Sequence, residues 1–344
     1  MPSEMRTKAV HETRADAAVL DLVVVGAGPT GIAIGAEARK SGLDFLLVDR
    51  GPLVANLLAF PTFMKFFTTR DLLEVGGIPF AVPEDKPDRR QAIAYYQSVA
   101  RAFELPLAVH EEVTEIRREE GLFRIESRTE DEDLTRWTKA VALATGYFHN
   151  PRQLGVEGEE QPWVSYRYFE PYAHFGRDVV VVGGGNSAAE TALDLWRNGA
   201  KVTLVHRGET LKPSIKYWLR PDAENRLEEG SIEAHFSSTV VSFGDHEVEI
   251  DGPEGTKRIP ADAAYVLIGY TPEVGLMRRS GVELDDETLV PEFEDETCQS
   301  NVPGLYLAGT LQAGRRTDKI FIENSRDHGA KIVSHLRNRL QTET

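Results

Sequence analysis

The sequence predicts an α/β protein with two similar domains, each built in three layers around a central parallel sheet and extended by a β-meander. Two observations lead to this prediction. Residues 22–50 and 178–207 each contain an apolar run, a glycine-rich turn, a helical stretch and a second apolar run. Runs that are apolar at every position are typical of strands buried on both faces of a parallel sheet. Each stretch is therefore expected to form a βαβ unit, the core of a Rossmann-like domain.

The remaining pattern separates these units into two domains, the first of them discontinuous. Residues 18–152 and 271–340 are expected to form the first domain and residues 153–270 the second, with residues 1–17 as a flexible extension. Glycines and prolines at 151–162 indicate the connection. Apolar spacing predicts helices at 91–105 and 320–340, meanders at 113–143 and 232–259, and strands at 264–268 and 305–308.

Charge and hydropathy exclude several classes of protein. The chain has 39 basic and 55 acidic residues and a net charge of −16, which disfavours nucleic acid or anionic lipid as a partner. No stretch approaches the ~18 apolar residues that a membrane span needs. The first 20 residues lack the apolar centre of a signal peptide. We therefore expect a cytoplasmic protein with no membrane partner.

The chain has one cysteine, Cys298, so neither an internal disulfide nor a CxxC redox pair can form. A cysteine-ligated metal cluster within one chain is excluded as well, and we expect no metal site. Residues 296–301 are polar and follow an acidic stretch, and they are expected to form a surface turn. Such surroundings give no reason for a low thiol pKa at Cys298.

The first glycine pattern, Gly26-x-Gly28-x-x-Gly31, follows an apolar strand and opens a helix. In a dinucleotide-binding turn the first glycine permits the tight bend, the second admits the pyrophosphate, and the third lets helix and strand pack closely. Asp49 ends the next strand, where a carboxylate can accept hydrogen bonds from ribose hydroxyls. This context predicts a nucleotide site.

The second glycine pattern, Gly183-x-Gly185-x-x-Ala188, has alanine at its third position, which the fingerprint tolerates. The following strand ends in His206-Arg207 rather than in an acid. An arginine there would pair with the 2′-phosphate of NADP, whereas a carboxylate would repel it. Lys212 and Lys216 could add to this basic cluster, so the pattern favours NADPH over NADH.

Two unlike nucleotide turns in one chain imply two nucleotides. Ala144-Thr145-Gly146 and Leu307-Ala308-Gly309 also follow apolar strands, where backbone can approach a cofactor. With these features the chain resembles the thioredoxin-reductase type of pyridine nucleotide–disulfide oxidoreductases, from residue 21 to residue 340. It more closely resembles the bacillithiol disulfide reductase family in FPTFMKFFTT at 60–69, GGIPF at 76–80, GGGNSAAE at 183–190, HRG at 206–208, IKYWLRP at 215–221 and IFIEN at 320–324.

The resemblance implies an enzyme that passes a hydride from NADPH through FAD to a low-molecular-weight disulfide. It implies FAD in the first domain, NADPH in the second, and a homodimer or higher homo-oligomer. Motifs and resemblance together assign cofactor binding to Gly26, Gly28, Pro29, Thr30, Gly31, Asp49, Arg50, Thr145, Gly146, Gly183, Gly185, Asn186, Ser187, Ala188, His206, Arg207, Lys212, Gly309, Thr310 and Ile320.

Three departures from the related patterns bear on mechanism. Thioredoxin reductases carry a CxxC ahead of the second glycine motif, but residues 164–172 contain no cysteine. Bacillithiol-type members commonly have cysteine at the position of Thr30, and threonine cannot form a mixed disulfide. Thr310 stands where thioredoxin reductases have an aspartate. The resemblance places the start of the last helix near the flavin, so Glu323 and His328 are the candidate catalytic proton donors.

Other functions fit parts of the same pattern. A flavin-dependent monooxygenase also needs two glycine motifs, but its histidine-serine linker signature has no match at 163–166. A ferredoxin- or flavodoxin-NADP reductase also lacks CxxC, but it normally needs a basic docking face for its acidic partner. A redox-sensing module that binds both nucleotides without turnover is a third alternative.

Overall fold

The computed structural model describes residues 18–317 and 319–342, so the expected N-terminal extension at 1–17 lies outside the described residues. The chain divides into two compact units. The first takes in the residues up to Leu58, Thr68–Asn150 and the residues from Thr271 onward, and the second comprises Ala59–Phe67 and Pro151–Tyr270. The first unit is therefore discontinuous. Residues 59–67, expected in the first domain, group instead with the second unit.

The first part of the chain, up to residue 150, contains eight of the described strands and three of the described α-helices. The strands are β1 (Val19–Leu20), β2 (Leu22–Val25), β3 (Phe45–Asp49), β4 (Leu107–Val109), β5 (Glu112–Glu119), β6 (Leu122–Arg128), β7 (Asp133–Thr138) and β8 (Val141–Leu143). The helices are α1 (Pro29–Lys40), α2 (Ala55–Leu58) and α3 (Arg89–Ala102), with a 3-10 turn at Arg70–Leu73.

The middle part of the chain forms the bulk of the second unit. Its strands are β9 (Val164–Ser165), β10 (Asp178–Val182), β11 (Lys201–Val205), β12 (Glu233–His235), β13 (Thr239–Phe243), β14 (Glu247–Gly252), β15 (Gly255–Pro260) and β16 (Ala263–Val266). Its helices are α4 (Asn186–Arg197) and α5 (Arg220–Glu228), with a 3-10 turn at Tyr172–His174.

The last part of the chain returns to the first unit. It contains α6 (Gly275–Arg279), β17 (Leu305–Leu307), a 3-10 helix at Gly309–Ala313, α7 (Ile322–Ser325) and α8 (His328–Thr342). The single helix expected at 320–340 is therefore two helices. The prediction missed the break at residues 326–327, because those polar positions do not disturb the helical spacing of the apolar ones.

Each unit has its own five-stranded parallel sheet. The order is β17-β8-β2-β3-β4 in the first unit and β12-β11-β10-β16-β9 in the second. Antiparallel meanders accompany both: β7-β6-β5 in the first unit, with β1 added parallel to β7, and β13-β14-β15 in the second. The predicted α/β class with two Rossmann-like domains is confirmed.

Strand β10 shows why an unbroken apolar run predicts this architecture. Val179 and Val181 belong to the core cluster that packs with helix α4, while Val180 and Val182 belong to the cluster that packs with the meander. Successive side chains of a strand point to opposite faces, so both faces of β10 are covered. β2 is likewise buried at all four positions. Parallel strands covered on both faces need apolar residues throughout.

Residues 59–67 join the second unit through contacts that local sequence does not reveal. The ring of Phe67 stacks on Trp218, with 5.6 Å between centroids, and the backbone N–H of Thr62 donates to the carbonyl of Phe169 at 2.9 Å. These partners are distant in sequence, so the correct unit could not be inferred from composition. Among the described residues, no helix has the length and apolar character needed to span a membrane.

Candidate functional site

The first glycine turn connects β2 to α1, and its conformation requires glycine at two positions. Gly26 has φ +114°, and a Cβ there would lie 2.4 Å from the carbonyl oxygen of Ala144. A Cβ on Gly31 would lie 1.9 Å from the carbonyl oxygen of Gly26. Pro29 occupies the first helical position, where its missing N–H is not needed. The turn is thus closed tightly against the end of β8.

Gly28 differs from Gly26 and Gly31, because the space beside its Cα is open. No atom lies within 4 Å of the position that a Cβ on Gly28 would take. Gly28 is the N-cap of α1, and no side chain caps this helix. By contrast, Asp88 and Gln91 form a complete capping box at the start of α3. The amides of an uncapped helix start attract anions, so this turn fits a pyrophosphate.

Asp49 holds the first turn from the end of β3. Its Oδ2 accepts a hydrogen bond from the N–H of Ala27 at 2.7 Å, and its Oδ1 accepts one from the N–H of Gly51 at 2.8 Å. A carboxylate has about four lone-pair sites, so it can still accept hydrogen bonds from ribose. The neighbouring Arg50 is exposed and pairs with Glu273 at 3.4 Å.

The second turn connects β10 to α4 and repeats this construction. Gly183 has φ +144°, and a Cβ there would lie 2.5 Å from the carbonyl oxygen of Leu267. Gly185 is the N-cap of α4, again with no side-chain cap. A Cβ on Gly185 would meet only the Cδ of Lys212, at 3.8 Å. Ala188 is fully buried, which explains why a small residue suffices there.

Three positively charged or titratable groups lie at the end of β11, but they differ in environment. The imidazole of His206 is buried beneath the turn, where a Cβ on Gly184 would lie 2.3 Å from it. Burial, followed by the charges of Lys212 and Arg207, lowers the pKa of His206. The ring is therefore neutral at neutral pH, whereas Arg207 and Lys212 are exposed cations. These two can face an anionic ligand.

Lys216 does not belong to this basic cluster, contrary to the expectation from sequence. Its side chain is buried, and its Nζ lies 3.0 Å from the carboxylate of Glu190 and donates to the carbonyl of Lys65 at 2.9 Å. A buried ammonium needs such partners. Lys216 therefore neutralises Glu190 rather than a ligand.

Asn186 and Ser187 start helix α4 on the second turn. The Nδ2 of Asn186 donates to the carbonyl of Ser214 at 3.0 Å, and its Oδ1 accepts from the N–H of Lys216 at 2.7 Å. Asn186 thus fixes the loop that carries Lys212 beside the turn. Ser187 is exposed at the first turn of the helix, where its hydroxyl can reach a bound phosphate.

Two further backbone segments lie at the carboxyl ends of β8 and β17 in the first unit. Gly146, after Thr145, has φ +69°, and a Cβ there would lie 2.8 Å from Nδ2 of Asn56. Gly309 has φ +68°, and its Cβ would lie 2.9 Å from Oγ1 of Thr30. Because β8 and β17 are parallel neighbours, both glycines lie on the same sheet edge as the first turn. Thr310, in the 3-10 helix after β17, and Ile320, ahead of α7, are half-buried.

Thr30 lies inside a small hydroxyl network. Its Oγ1 is 3.3 Å from Oγ of Ser325, which in turn donates to the carbonyl of Phe321 at 2.7 Å. Ser325 is almost fully buried. The threonine that replaces the family's common cysteine is therefore held at the start of α1 and contacts α7.

The two candidate proton donors occupy unlike environments. Burial raises the pKa of Glu323, while a hydrogen bond to the Thr68 side chain and the charge of Lys86 oppose the rise. His328 is buried, and its Nδ1 accepts a hydrogen bond from the N–H of Gly309 at 3.1 Å. Burial lowers the pKa of His328. His328 is thus neutral and holds the Gly309 backbone, whereas Glu323 is the better acid of the two.

Cys298 is not on the surface, and the expectation of a surface turn there is wrong. Its side chain is 1% exposed. Its carbonyl accepts from the N–H of Leu307, which draws the turn against β17. Burial raises the pKa of the thiol, and a protonated thiol is a poor nucleophile.

Sequence reasoning missed several residues that shape these sites. Ser325, Asn56 and Thr68 contact predicted site residues from other elements. A hydroxyl or amide residue in a loop carries no periodic signal, so only the fold reveals such contacts. Gly184 was visible in the GGGN run, and its need for glycine comes from the His206 ring beneath it.

Each unit thus has a glycine turn followed by an uncapped helix. A carboxylate lies beside the first turn and cations lie beside the second, which is the arrangement expected of a protein that binds two nucleotides. The family model described as pyridine nucleotide-disulphide oxidoreductase matches residues 23–309. The chain belongs to this family and, within it, to the group of bacillithiol disulfide reductases. It is accordingly an oxidoreductase that uses a flavin and a pyridine nucleotide.

Individual relatives agree with this placement. The chain is 34% identical over 319 residues to the bacilliredoxin reductase of Bacillus subtilis, which covers 92% of this chain and 97% of the relative. The bacillithiol disulfide reductase structure from Bacillus cereus superposes with a TM-score of 0.91 at 32% identity, covering 94% of this chain and 100% of that one. The Staphylococcus aureus enzyme gives 0.88 at 31% identity, covering 93% and 98%. The resemblance inferred from sequence motifs is confirmed.

Proposed function

We propose that the protein is a cytoplasmic homo-oligomer that uses NADPH and FAD to reduce a low-molecular-weight disulfide. In the balanced reaction, NADPH, one proton and the disulfide give NADP⁺ and two thiols. The observation that carries the proposal is the contrast between the two strand ends, since Asp49 follows the first turn and Arg207 the second. The relatives from Bacillus cereus and Staphylococcus aureus, named for bacillithiol disulfide, support this substrate class.

FAD is assigned to the first unit, which includes Thr68–Asn150 and the residues from Thr271 onward. The open Gly28 position and the uncapped start of α1 fit its pyrophosphate, and Asp49 fits its ribose. Thr145, Gly146 and Gly309 lie on the same sheet edge and can border the ring system. Bound FAD supplies the hydride-carrying ring, and these residues position it.

NADPH is assigned to the second unit, whose main part is Pro151–Tyr270. Gly185 leaves room for the pyrophosphate at the start of α4. Arg207 and Lys212 are exposed cations that suit the 2′-phosphate. His206 is neutral and supports the turn from below rather than contributing charge. NADPH should therefore be preferred to NADH.

Glu323 is proposed to deliver a proton to a leaving thiolate. Its raised pKa keeps a larger protonated fraction than an ordinary glutamate would have. His328 is proposed to act as a positioning residue, because its Nδ1 is already occupied by the N–H of Gly309.

No protein thiol takes part in the proposed reaction. The chain has one cysteine, and Cys298 is buried with a raised thiol pKa. Thr30, at the position where relatives commonly carry cysteine, offers a hydroxyl that is engaged near Ser325. The disulfide must therefore be reduced without a mixed disulfide to the protein.

An acceptor screen tests the proposal. The purified holoenzyme is assayed for NADPH oxidation with bacillithiol disulfide, glutathione disulfide, ferredoxin and oxygen, and each assay is repeated with NADH. We expect a disulfide to be the best acceptor and NADPH to be the better donor. Faster reduction of ferredoxin, or oxygen-dependent hydroxylation of an added substrate, would replace this function with one of the alternatives. Light scattering of the same sample tests the homo-oligomer.

A further inference from the structure

A basic segment stands out on this acidic chain. Residues 315–319 read RRTDK, three cations with one aspartate, in a protein whose net charge is −16. The side chains of Arg315, Arg316 and Lys319 are exposed. Neither proposed nucleotide site uses these residues. A local positive segment in a negative protein concentrates the attraction for small anions.

The segment lies on the sheet edge that carries the proposed flavin site. It follows the 3-10 helix Gly309–Ala313, which begins directly after β17. The hydroxyl of Tyr147 donates to the carbonyl of Thr317 at 3.1 Å. Tyr147 follows Gly146 at the end of β8, the parallel neighbour of β17. The cations are therefore anchored next to the residues proposed to border the reacting ring.

Hydrogen bonds fix the segment at both ends. Gly314 has φ +55°, and a Cβ there would lie 2.3 Å from the carbonyl oxygen of Thr288. That same oxygen accepts from the N–H of Arg315 at 2.7 Å. At the other end, Nδ2 of Asn324 donates to the carbonyl of Lys319 at 2.8 Å. The backbone at Arg315 and at Lys319 is thus held by hydrogen bonds before any ligand binds, which lowers the cost of binding.

The side chains of Arg316 and Lys319 face solvent. Both side chains are exposed, and no carboxylate of residues 18–317 and 319–342 forms an ion pair with either. Two exposed arginines of the same unit are paired, by comparison: Arg117 with Glu115 at 2.7 Å and Arg128 with Glu112 at 2.8 Å. Arg316 and Lys319 are therefore solvent-facing cations that follow the 3-10 helix beside the proposed flavin site.

We propose that Arg316 and Lys319 select anionic low-molecular-weight disulfides by pairing with the carboxylates of these substrates. This inference rests on the proposed function and narrows its substrate class to disulfides with carboxylate groups. Exposed ion pairs mainly change how fast and how tightly a charged ligand binds. The segment should therefore affect KM more than kcat.

The test compares disulfides of different charge. Glutathione disulfide is anionic, bis(2-hydroxyethyl) disulfide is neutral and cystamine is cationic. The double variant Arg316→Gln/Lys319→Gln should lower kcat/KM for glutathione disulfide about fivefold through KM. It should leave the neutral disulfide unchanged and improve the use of cystamine. The matched control Arg117→Gln/Arg128→Gln changes the net charge equally on the meander and should leave all three acceptors unaffected.

Other outcomes would overturn the inference. The segment does not discriminate substrates by charge if kcat/KM changes equally for the three disulfides. The same conclusion follows if the control variant shows the same change in kcat/KM. A variant that slows reduction of acidic ferredoxin but not of glutathione disulfide would assign the segment to a protein partner. If the wild-type enzyme reduces none of the disulfides, the proposed function fails. In that case, calorimetric titration of the wild type and the double variant with glutathione disulfide tests the role of the segment independently of turnover. Equal affinities of the two proteins would reject that role.

Discussion

The two glycine turns share one backbone design but end in opposite chemistry. Gly26 and Gly183 both have positive φ, and in each case a neighbouring carbonyl, of Ala144 or Leu267, excludes a Cβ. Both following helices start without a side-chain cap. The next strand then ends in a carboxylate in the first unit and in exposed cations in the second. The comparison supports the proposal that the turn binds a pyrophosphate and that the residue at the strand end selects between FAD and NADPH.

Substitution at the open glycines should produce the largest effects and separate the two turns. An alanine at Gly28 or Gly185 meets no close backbone atom, so each variant should fold, but its methyl would displace a phosphate. We expect Gly28→Ala to purify without flavin colour. We expect Gly185→Ala to stay yellow and to raise the KM for NADPH about 30-fold, since hydrogen bonds to charged groups are lost.

Absorbance spectra, thermal melts and steady-state kinetics measure these outcomes. Gly31→Val is the contrasting variant, because a Cβ there would lie 1.9 Å from the oxygen of Gly26 and should destabilise the fold itself. If Gly28→Ala retained flavin while Gly185→Ala lost it, the two assignments would be reversed.

Removal of Arg207 tests the cationic strand end. Arg207→Ala should raise the KM for NADPH about tenfold and leave the KM for NADH nearly unchanged, because only NADPH carries the 2′-phosphate. The matched control is Arg197→Ala, an exposed arginine of the same unit that pairs with Asp222. The measurement is the ratio of the KM for NADPH to the KM for NADH in each variant. Equal effects on both coenzymes would show that Arg207 does not read the 2′-phosphate.

Glu323 should have a smaller effect, visible in the pH profile. Burial raises its pKa, so its protonated fraction, and disulfide reduction with it, should fall as pH rises through that raised value. Glu323→Gln should flatten this decline and lower kcat about threefold, because a thiolate leaves without much assistance. A variant profile that superposes on the wild-type profile would remove Glu323 from catalysis.

The same pKa shift predicts a change in stability. A carboxyl whose pKa is higher in the folded than in the unfolded state stabilises the fold below the unfolded pKa and loses that contribution as pH rises through the folded pKa. Ionised Glu323 therefore costs stability at neutral pH. Glu323→Gln should melt at an equal or higher temperature than wild type at pH 7, with the difference vanishing in acid.

Cys298 should have no effect on turnover. Its thiol is buried with a raised pKa, so Cys298→Ser should keep kcat and KM within error. Iodoacetamide should label wild-type protein only after unfolding. Inactivation of the native enzyme by iodoacetamide, absent in Cys298→Ser, would contradict the account of a cysteine-independent reaction.

The sequence was most informative where local pattern and final structure coincide. The runs at 22–25 and 179–182 predicted buried parallel strands because both faces of those strands are covered. The glycine turns were predictable because their geometry depends on residues close in sequence. These features sufficed to predict the fold class and the two glycine turns.

Features that depend on distant contacts were not predictable. Cys298 has polar neighbours in sequence, yet its hydrogen bond from Leu307 draws it into the core. The sequence placed Lys216 in a basic cluster, but its ammonium group pairs with Glu190 and donates to the Lys65 carbonyl. In both cases partners elsewhere in the sequence change the environment of a residue whose local sequence suggests the surface.

Anaerobic absorbance spectroscopy tests the central claim, that a flavin and NADPH occupy separate glycine turns and exchange electrons. Purified wild-type protein should be yellow, lose its colour on addition of NADPH and regain it on addition of bacillithiol disulfide, whereas Gly185→Ala should lose its colour only slowly. A colourless wild-type protein that binds no added flavin, or a yellow one that NADPH does not bleach, would contradict the account.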